Sequence, residues 1–305
     1  MSSAASLPLF PEPAPVQLAE RHLADFTELP IRSILNRCTS SRVPFAWTIN
    51  PYRGCEFGCQ YCYARYTHEF MELRRPEDFE RHIFVKQNAA ARLRRELKRV
   101  KPDEEIALGT ATDPYQPAER RFGVTRSLLE VFAEFRGLRL GLITKSDLIA
   151  RDRDLLAELA ARHRLRIRIT VTTTDIALAR ALEPRAPRPD LRLAAAATLA
   201  AAGLDVGIMC APVLPAITDS RAALTAVAHA ARAAGARTFA ASPLFLQPCA
   251  QAQYFPFLER AFPQLVARYR RAYSHTAYLP AAYRQALQSR VWAIRAEIGL
   301  ASMAE

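Results

Sequence analysis

From Phe45 onward the chain alternates short apolar runs with helix-length stretches, and this alternation leaves few folds open to it. Runs suited to strands stand at 45–50, 106–109, 138–144, 166–172, 204–210 and 237–241. Between them, 88–100, 125–136, 148–162, 190–202 and 219–234 read as helices. The last two end on Gly203 and Gly235, and glycine accepts the left-handed turn that closes a helix. Strands in series with helices predict a parallel sheet covered by helices. Six such units suit an α/β fold built as a partial (β/α)6 barrel better than a closed eight-strand one. An additional strand is predicted at 82–86, ahead of the second core strand.

Two flanking regions break the pattern. The first 20 residues carry Pro8, Pro11, Pro13 and Pro15 and no basic start before an apolar stretch, so they read as no secretory signal. Three parts are therefore expected: a disordered lead-in at 1–30, the barrel core at 31–242 and a C-terminal helical extension at 243–305. The extension has helical stretches at 253–271 and 278–298 and carries Tyr254, Phe257, Tyr269 and Tyr273, which read as core packing rather than a base-stacking surface.

In folds of this type the chemistry gathers where the strands end. Polar groups follow the apolar runs here in the same way. Asn50-Pro51-Tyr52, Thr110-Ala111-Thr112-Asp113, Thr144-Lys145-Ser146, Thr172-Thr173-Thr174-Asp175 and Ala211-Pro212 each come directly after a run. These five strand ends predict one site on one face of the barrel.

The first of them leads into a tight cysteine cluster. Cys55, Cys59 and Cys62 stand in the spacing C-x3-C-x2-C, with Gly54 and Gly58 letting the backbone wrap closely. Three thiolates can ligate three corners of an iron–sulfur cubane and leave a fourth iron open to a substrate or cofactor. Structural zinc needs a fourth ligand, and neither Cys38 nor His68 stands at a familiar spacing for one. Cys38, Cys210 and Cys249 are scattered and read as buried thiols rather than a disulfide framework.

The cysteine spacing, with Tyr61 before the last cysteine, resembles the radical S-adenosylmethionine superfamily. The wider string from Asn50 to Arg65 resembles the branch that includes spore photoproduct lyase. Gly109-Thr-Ala-Thr-Asp-Pro-Tyr-Gln-Pro-Ala-Glu119, Thr144-Lys-Ser-Asp and Leu182-Glu-Pro-Arg-Ala-Pro are similar to the same branch. The resemblance runs from about Arg42 to Ala241. It implies two cofactors, a [4Fe–4S] cluster and S-adenosylmethionine (SAM), and a one-electron donor such as flavodoxin or ferredoxin. In this family an electron from the cluster breaks the sulfonium C–S bond, and a 5′-deoxyadenosyl radical then abstracts hydrogen from the substrate.

The same resemblance assigns expected roles. Cys55, Cys59 and Cys62 are the metal ligands. Lys145 is expected to bind the carboxylate of SAM. Thr112 and Asp113 replace the usual Gly-Gly-Glu-like motif, with Thr112 expected to hydrogen bond the cofactor, Asp113 either to do so or to cap a turn, and Glu119 as a weaker candidate. Thr170 and Thr172 are expected near the cofactor on the fourth strand. Tyr61 and Tyr63 match tyrosines linked to hydrogen return in the lyase, with the Tyr61 backbone near the adenine. Arg192 reads as a solvated arginine and His68 as structural support. Ala111 departs from the lyase, which carries its hydrogen-donor cysteine at that place, so dimer repair is not implied.

The formal charge is +12, with 42 Lys and Arg against 30 Asp and Glu. Only Lys86, Lys98, Lys101 and Lys145 are lysines, and the arginines are spread along the chain. The one dense basic run, 92–101, reads as a solvated helix face, so nucleic acid stays an open partner. No apolar run reaches membrane-span length, and a cytoplasmic location is expected. A radical enzyme of unnamed substrate is therefore the expected function. A DNA-lesion repair lyase, or a zinc- or cluster-bearing nucleic-acid-binding module without turnover, is the alternative.

Overall fold

The computed structural model describes residues 24–40 and 42–303. The proline-rich segment at 1–20 lies outside the described residues. Within the expected lead-in, Asp25–Leu29 form a strand, β1, which corrects the boundary at residue 30. Its partner explains the difference: β1 runs parallel to β5 (His82–Lys86) through five residue pairs, a pairing too distant in sequence to read locally.

Among the described residues the main sheet has seven strands. β2 (Leu35–Arg37) lies at one edge, antiparallel to β3 (Trp47–Ile49). From β3 the order runs through β6 (Glu105–Leu108), β7 (Arg139–Thr144), β8 (Arg164–Thr170) and β9 (Val206–Val213) to β10 (Thr238–Pro243), all parallel. These six consecutive parallel strands are the partial barrel expected from the sequence. A second sheet joins β1 and β5 to the short strand β4 (Tyr52–Arg53), and this is where the additional strand at 82–86 belongs.

Strand β8 shows why the pattern folds this way. Its residues alternate, and Leu165, Ile167 and Ile169 are buried in the core beneath the helices. Arg168 takes the opposite face and lies 3.5 Å from Asp205. The helices that cover the sheet are capped locally. Asp175 accepts from the Leu178 amide at 3.0 Å and Ser220 from the Ala223 amide at 3.1 Å.

Helix ends follow proline. The stretch expected as one helix at 253–271 is two, Pro248–Ala261 and Val266–Ala272, with Pro263 opening a short turn between them. The last helix, Ala281–Ile298, begins directly after Pro280.

A second apolar cluster determines where the extension sits. Phe57 and Tyr61 of the cysteine loop pack in one cluster with Leu182, Leu214, Tyr254, Phe257, Tyr269 and Tyr273. Tyr269 donates to the Pro215 carbonyl at 2.8 Å and Tyr273 to the Leu244 carbonyl at 2.9 Å. The C-terminal aromatics are thus core residues, and they close over the loop that follows β3. No helix of the described residues is long and apolar enough to cross a membrane.

Candidate functional site

The cysteine loop leaves the sheet at Asn50, whose amide oxygen accepts from the Ala111 amide at 2.7 Å. That bond ties the end of β3 to the end of β6. At Gly54 the backbone has φ +88°, and a Cβ there would stand 2.8 Å from both the His82 and Phe79 carbonyl oxygens. Only glycine lets the loop pass. Cys55 and Cys59 are buried and Cys62 is half-buried. Arg65 supports the loop from behind, donating to the Cys59 carbonyl at 3.1 Å while paired with Glu80 at 2.6 Å.

Burial pushes all three thiols up from their ordinary range. Asp113 and then Cys59 add to this at Cys55. At Cys59, Glu183 raises and Lys145 lowers. Arg65 and Lys145 both lower Cys62. The thiols therefore feel one another, and Cys59 and Cys62 feel the Lys145 ammonium. Among the described residues, no three His, Cys, Asp or Glu side chains gather around one point as a single metal ion requires. A cluster that offers each thiolate its own iron corner makes no such demand.

Thr112 and Asp113 stand at the expected strand end, but both are turned to the loops. The Thr112 hydroxyl donates to the Gly54 carbonyl at 2.5 Å, and Gln116 donates to the same carbonyl at 3.1 Å and to Thr112 at 3.0 Å. Thr112 is thus a clamp on the cysteine loop. Asp113 accepts from the Tyr115 amide at 2.9 Å, the Thr144 hydroxyl at 2.7 Å and the Lys145 amide at 2.6 Å. It caps a turn and fixes the backbone of Lys145. Glu119 is fully buried and spent on the Thr125 and Arg126 amides and Arg151.

Lys145 projects its Nζ to 5.8 Å from the centre of the Tyr61 ring. It has no ion pair among the described residues. Behind the ring lies a polar network that sequence reasoning did not assemble. The Tyr61 hydroxyl donates to Glu183 and lies 3.2 Å from the Thr172 hydroxyl, which donates to Glu183 at 2.7 Å. Arg192 pairs with Glu183 at 2.5 Å and donates to the Thr170 carbonyl at 3.1 Å. Both charged residues are 1% exposed, so the solvated reading of Arg192 is corrected. Burial opposes the Glu183 charge, but Arg192 and then Lys145 more than offset it and hold its carboxyl at about 2. Burial and Glu183 push the Tyr61 phenol well up.

Thr172 therefore enters the site by its hydroxyl and Thr170 by its carbonyl. Tyr63 points the other way: it is 39% exposed and donates to the Thr110 carbonyl. His68 accepts no metal role. Its Nε2 lies 2.8 Å from the His82 carbonyl and its ring packs between Phe79 and Phe84, where burial lowers its pKa. Cys210 is buried as expected, whereas Cys38 and Cys249 are half-buried. Cys38 follows an edge strand and Cys249 opens a helix, and both places leave one side uncovered. Glu183 was within reach of the sequence only through the string at 182–187. Its pairing with Arg192 depends on a turn between two helices.

The donor set fits an iron–sulfur cluster: three thiols on one loop, two buried and one half-buried, with a cation nearby and, among the described residues, no acidic side chain bonded to them.

A family model described as the radical SAM superfamily matches residues 49–226. An uncharacterized protein of Mycobacterium tuberculosis is 39% identical over 278 residues, which is 90% of this chain and 82% of that protein. An uncharacterized protein of Methanocaldococcus jannaschii is 28% identical over 180 residues, 59% of this chain and 65% of the relative. Among solved structures, a spore photoproduct lyase mutant with bound AdoMet and dinucleoside spore photoproduct superposes with a TM-score of 0.65 at 16% identity, over 90% of this chain and 79% of that one. At that identity the likeness is one of fold.

Proposed function

The chain belongs to the radical SAM superfamily, and from that premise we propose that it is an enzyme holding a [4Fe–4S] cluster on Cys55, Cys59 and Cys62. In this reading it cleaves SAM reductively to a 5′-deoxyadenosyl radical that acts on a separate substrate. The observation that carries the reading is the grouping of three thiols, two buried and one half-buried, with one unpaired ammonium, Lys145, beyond the ends of β3 and β7, the two strands that flank β6. When bound, the cluster supplies the single electron that breaks the sulfonium C–S bond.

This chain's own residues supply position and shielding. Asp113 fixes the Lys145 backbone, so the ammonium is presented at a set place for the SAM carboxylate. Arg192 and Glu183 neutralise each other beneath Tyr61, and this keeps the Tyr61 ring in place without leaving net charge in the wall. Phe57 and the C-terminal aromatics exclude water from the loop. A one-electron protein donor of the flavodoxin or ferredoxin kind completes the proposal.

Anaerobic reconstitution should give a brown protein with close to four irons per chain. Dithionite and SAM should then release 5′-deoxyadenosine, and Cys59→Ala should abolish the release. Uptake of zinc with no iron, or release unchanged in Cys59→Ala, overturns the reading.

A further inference from the structure

A cavity of about 550 Å³ lies against the cysteine loop, on the face of β3 opposite the buried Ile49. Its wall runs from Asn36 and Thr48, past Arg53 and Lys86, to Tyr63 and Ala111. Its size is that of a small-molecule site. Tyr63 and Ala111 belong to the two loops that carry the cysteines and Thr112, so the cavity adjoins the site already described without being part of it.

Two cations in this wall have no counter-charge. Arg53 comes from β4 and Lys86 from the end of the paired strand β5. Among the described residues neither side chain has an ion pair, and no aspartate or glutamate lines the cavity. Both side chains are half-buried, and burial works against the Lys86 charge. Arg37, on the same wall, is treated differently: Glu104 neutralises it. Holding two like charges together at a half-buried wall is costly unless an anion joins them. Two positive charges call for a doubly charged anion, and an arginine fork beside a lysine is the pairing that receives phosphate. Phe45, Tyr66 and Phe70 add flat apolar surface suited to the body of such a ligand.

We propose that this cavity is the substrate site, and that Arg53 and Lys86 bind a phosphate group of the substrate. The assignment rests on the proposed function for its chemistry, since the substrate's C–H bond must face the site beyond Tyr63. The phosphate belongs either to a small ester or to the backbone of a nucleic acid.

Calorimetric titration of the full chain with inorganic phosphate tests the site without any turnover. One site per chain is expected. Arg53→Gln and Lys86→Gln should each weaken binding at least tenfold, and Lys86→Arg should retain it, which separates loss of charge from loss of fold. Binding should be unaffected by saturating SAM. Displacement of phosphate by thymidine monophosphate alone identifies a small ester. Displacement by a ten-residue oligothymidylate as well, at lower concentration, identifies a backbone. No binding, binding unchanged in both glutamine variants, displacement by SAM, or displacement by neither nucleotide overturns the assignment. SAM cleavage measured on the same preparations separates the two conclusions. If 5′-deoxyadenosine is released and phosphate does not bind, the substrate site falls and the proposed function stands.

Discussion

Lys145 stands over the ring of Tyr61, its Nζ 5.8 Å from the ring centre, while the Tyr61 hydroxyl on the far side donates to Glu183. One tyrosine thus separates a free ammonium from a buried carboxylate. The cation is left available to a ligand, and the anion beneath has Arg192 as its own partner.

Replacing Lys145 therefore removes a ligand contact and leaves the fold intact. Lys145→Met should weaken SAM binding by about 10- to 100-fold, the worth of one charge-assisted hydrogen bond. The melting temperature should fall by less than in Arg192→Met, since Lys145 is the lesser of the two cations acting on Glu183. Equilibrium dialysis with labelled SAM measures the first and calorimetry the second. Unchanged SAM affinity would remove Lys145 from the cofactor site.

The pair beneath the ring should behave in the opposite way. Arg192→Met leaves Glu183 buried without its counter-charge and should cost about 3–5 kcal/mol in urea unfolding at neutral pH. Glu183 carries a carboxyl held at about 2 against an ordinary 4.5. A depressed carboxyl stabilises the fold above its ordinary value and loses that contribution as pH falls toward 2. The stability gap between the parent and Glu183→Gln should accordingly be full at pH 6 and shrink steadily below about 4.5. A gap that is flat from pH 6 to 3 contradicts the pairing.

Two glycines of the cysteine loop should differ sharply. A Cβ at Gly54 meets two backbone carbonyls at 2.8 Å, and nothing there can yield. At Gly58 the obstacle is the end of the Arg185 side chain, which can swing away. Both have positive φ, so each alanine costs something. Gly54→Ala should lose most of its reconstituted iron, and Gly58→Ala should keep the larger part. Equal iron content in the two variants goes against this account of the loop.

Lys86 offers a pH test of the cavity wall. Burial, helped by Arg53, brings its amine down to about 8 from an ordinary 10.5. Between those values the unfolded chain holds a proton that the folded chain has released, so folding stability rises with pH across that window. The difference in melting temperature between the parent and Lys86→Met should change in the parent's favour from pH 8 to 10. A constant difference indicates a fully solvated lysine.

Much of this was legible in the sequence because it is local. The six parallel strands follow from apolar runs at regular spacing, and the cysteine spacing and Lys145 follow from what stands directly after them. What was not legible depends on distant partners. Thr112 stands out as a strand-end hydroxyl, but its bond to the carbonyl of Gly54, 58 residues earlier, leaves no local signal. Arg192 looks like a surface arginine until the turn after Leu182 delivers Glu183 to it. Strand β1 has no hydrophobic alternation of its own and exists through its ladder with β5.

The packing of Tyr254, Phe257, Tyr269 and Tyr273 against the cysteine loop also orders events in the life of the chain. The loop is synthesised early, yet the wall that shelters it is made of residues translated some 200 positions later. Until those helices emerge, the three thiols stand open to water and oxidants. The proposed cluster would then be sheltered only once the last helices have formed. A nascent chain stalled before residue 248 should accordingly accept iron and fail to hold it against a chelator that the finished protein resists.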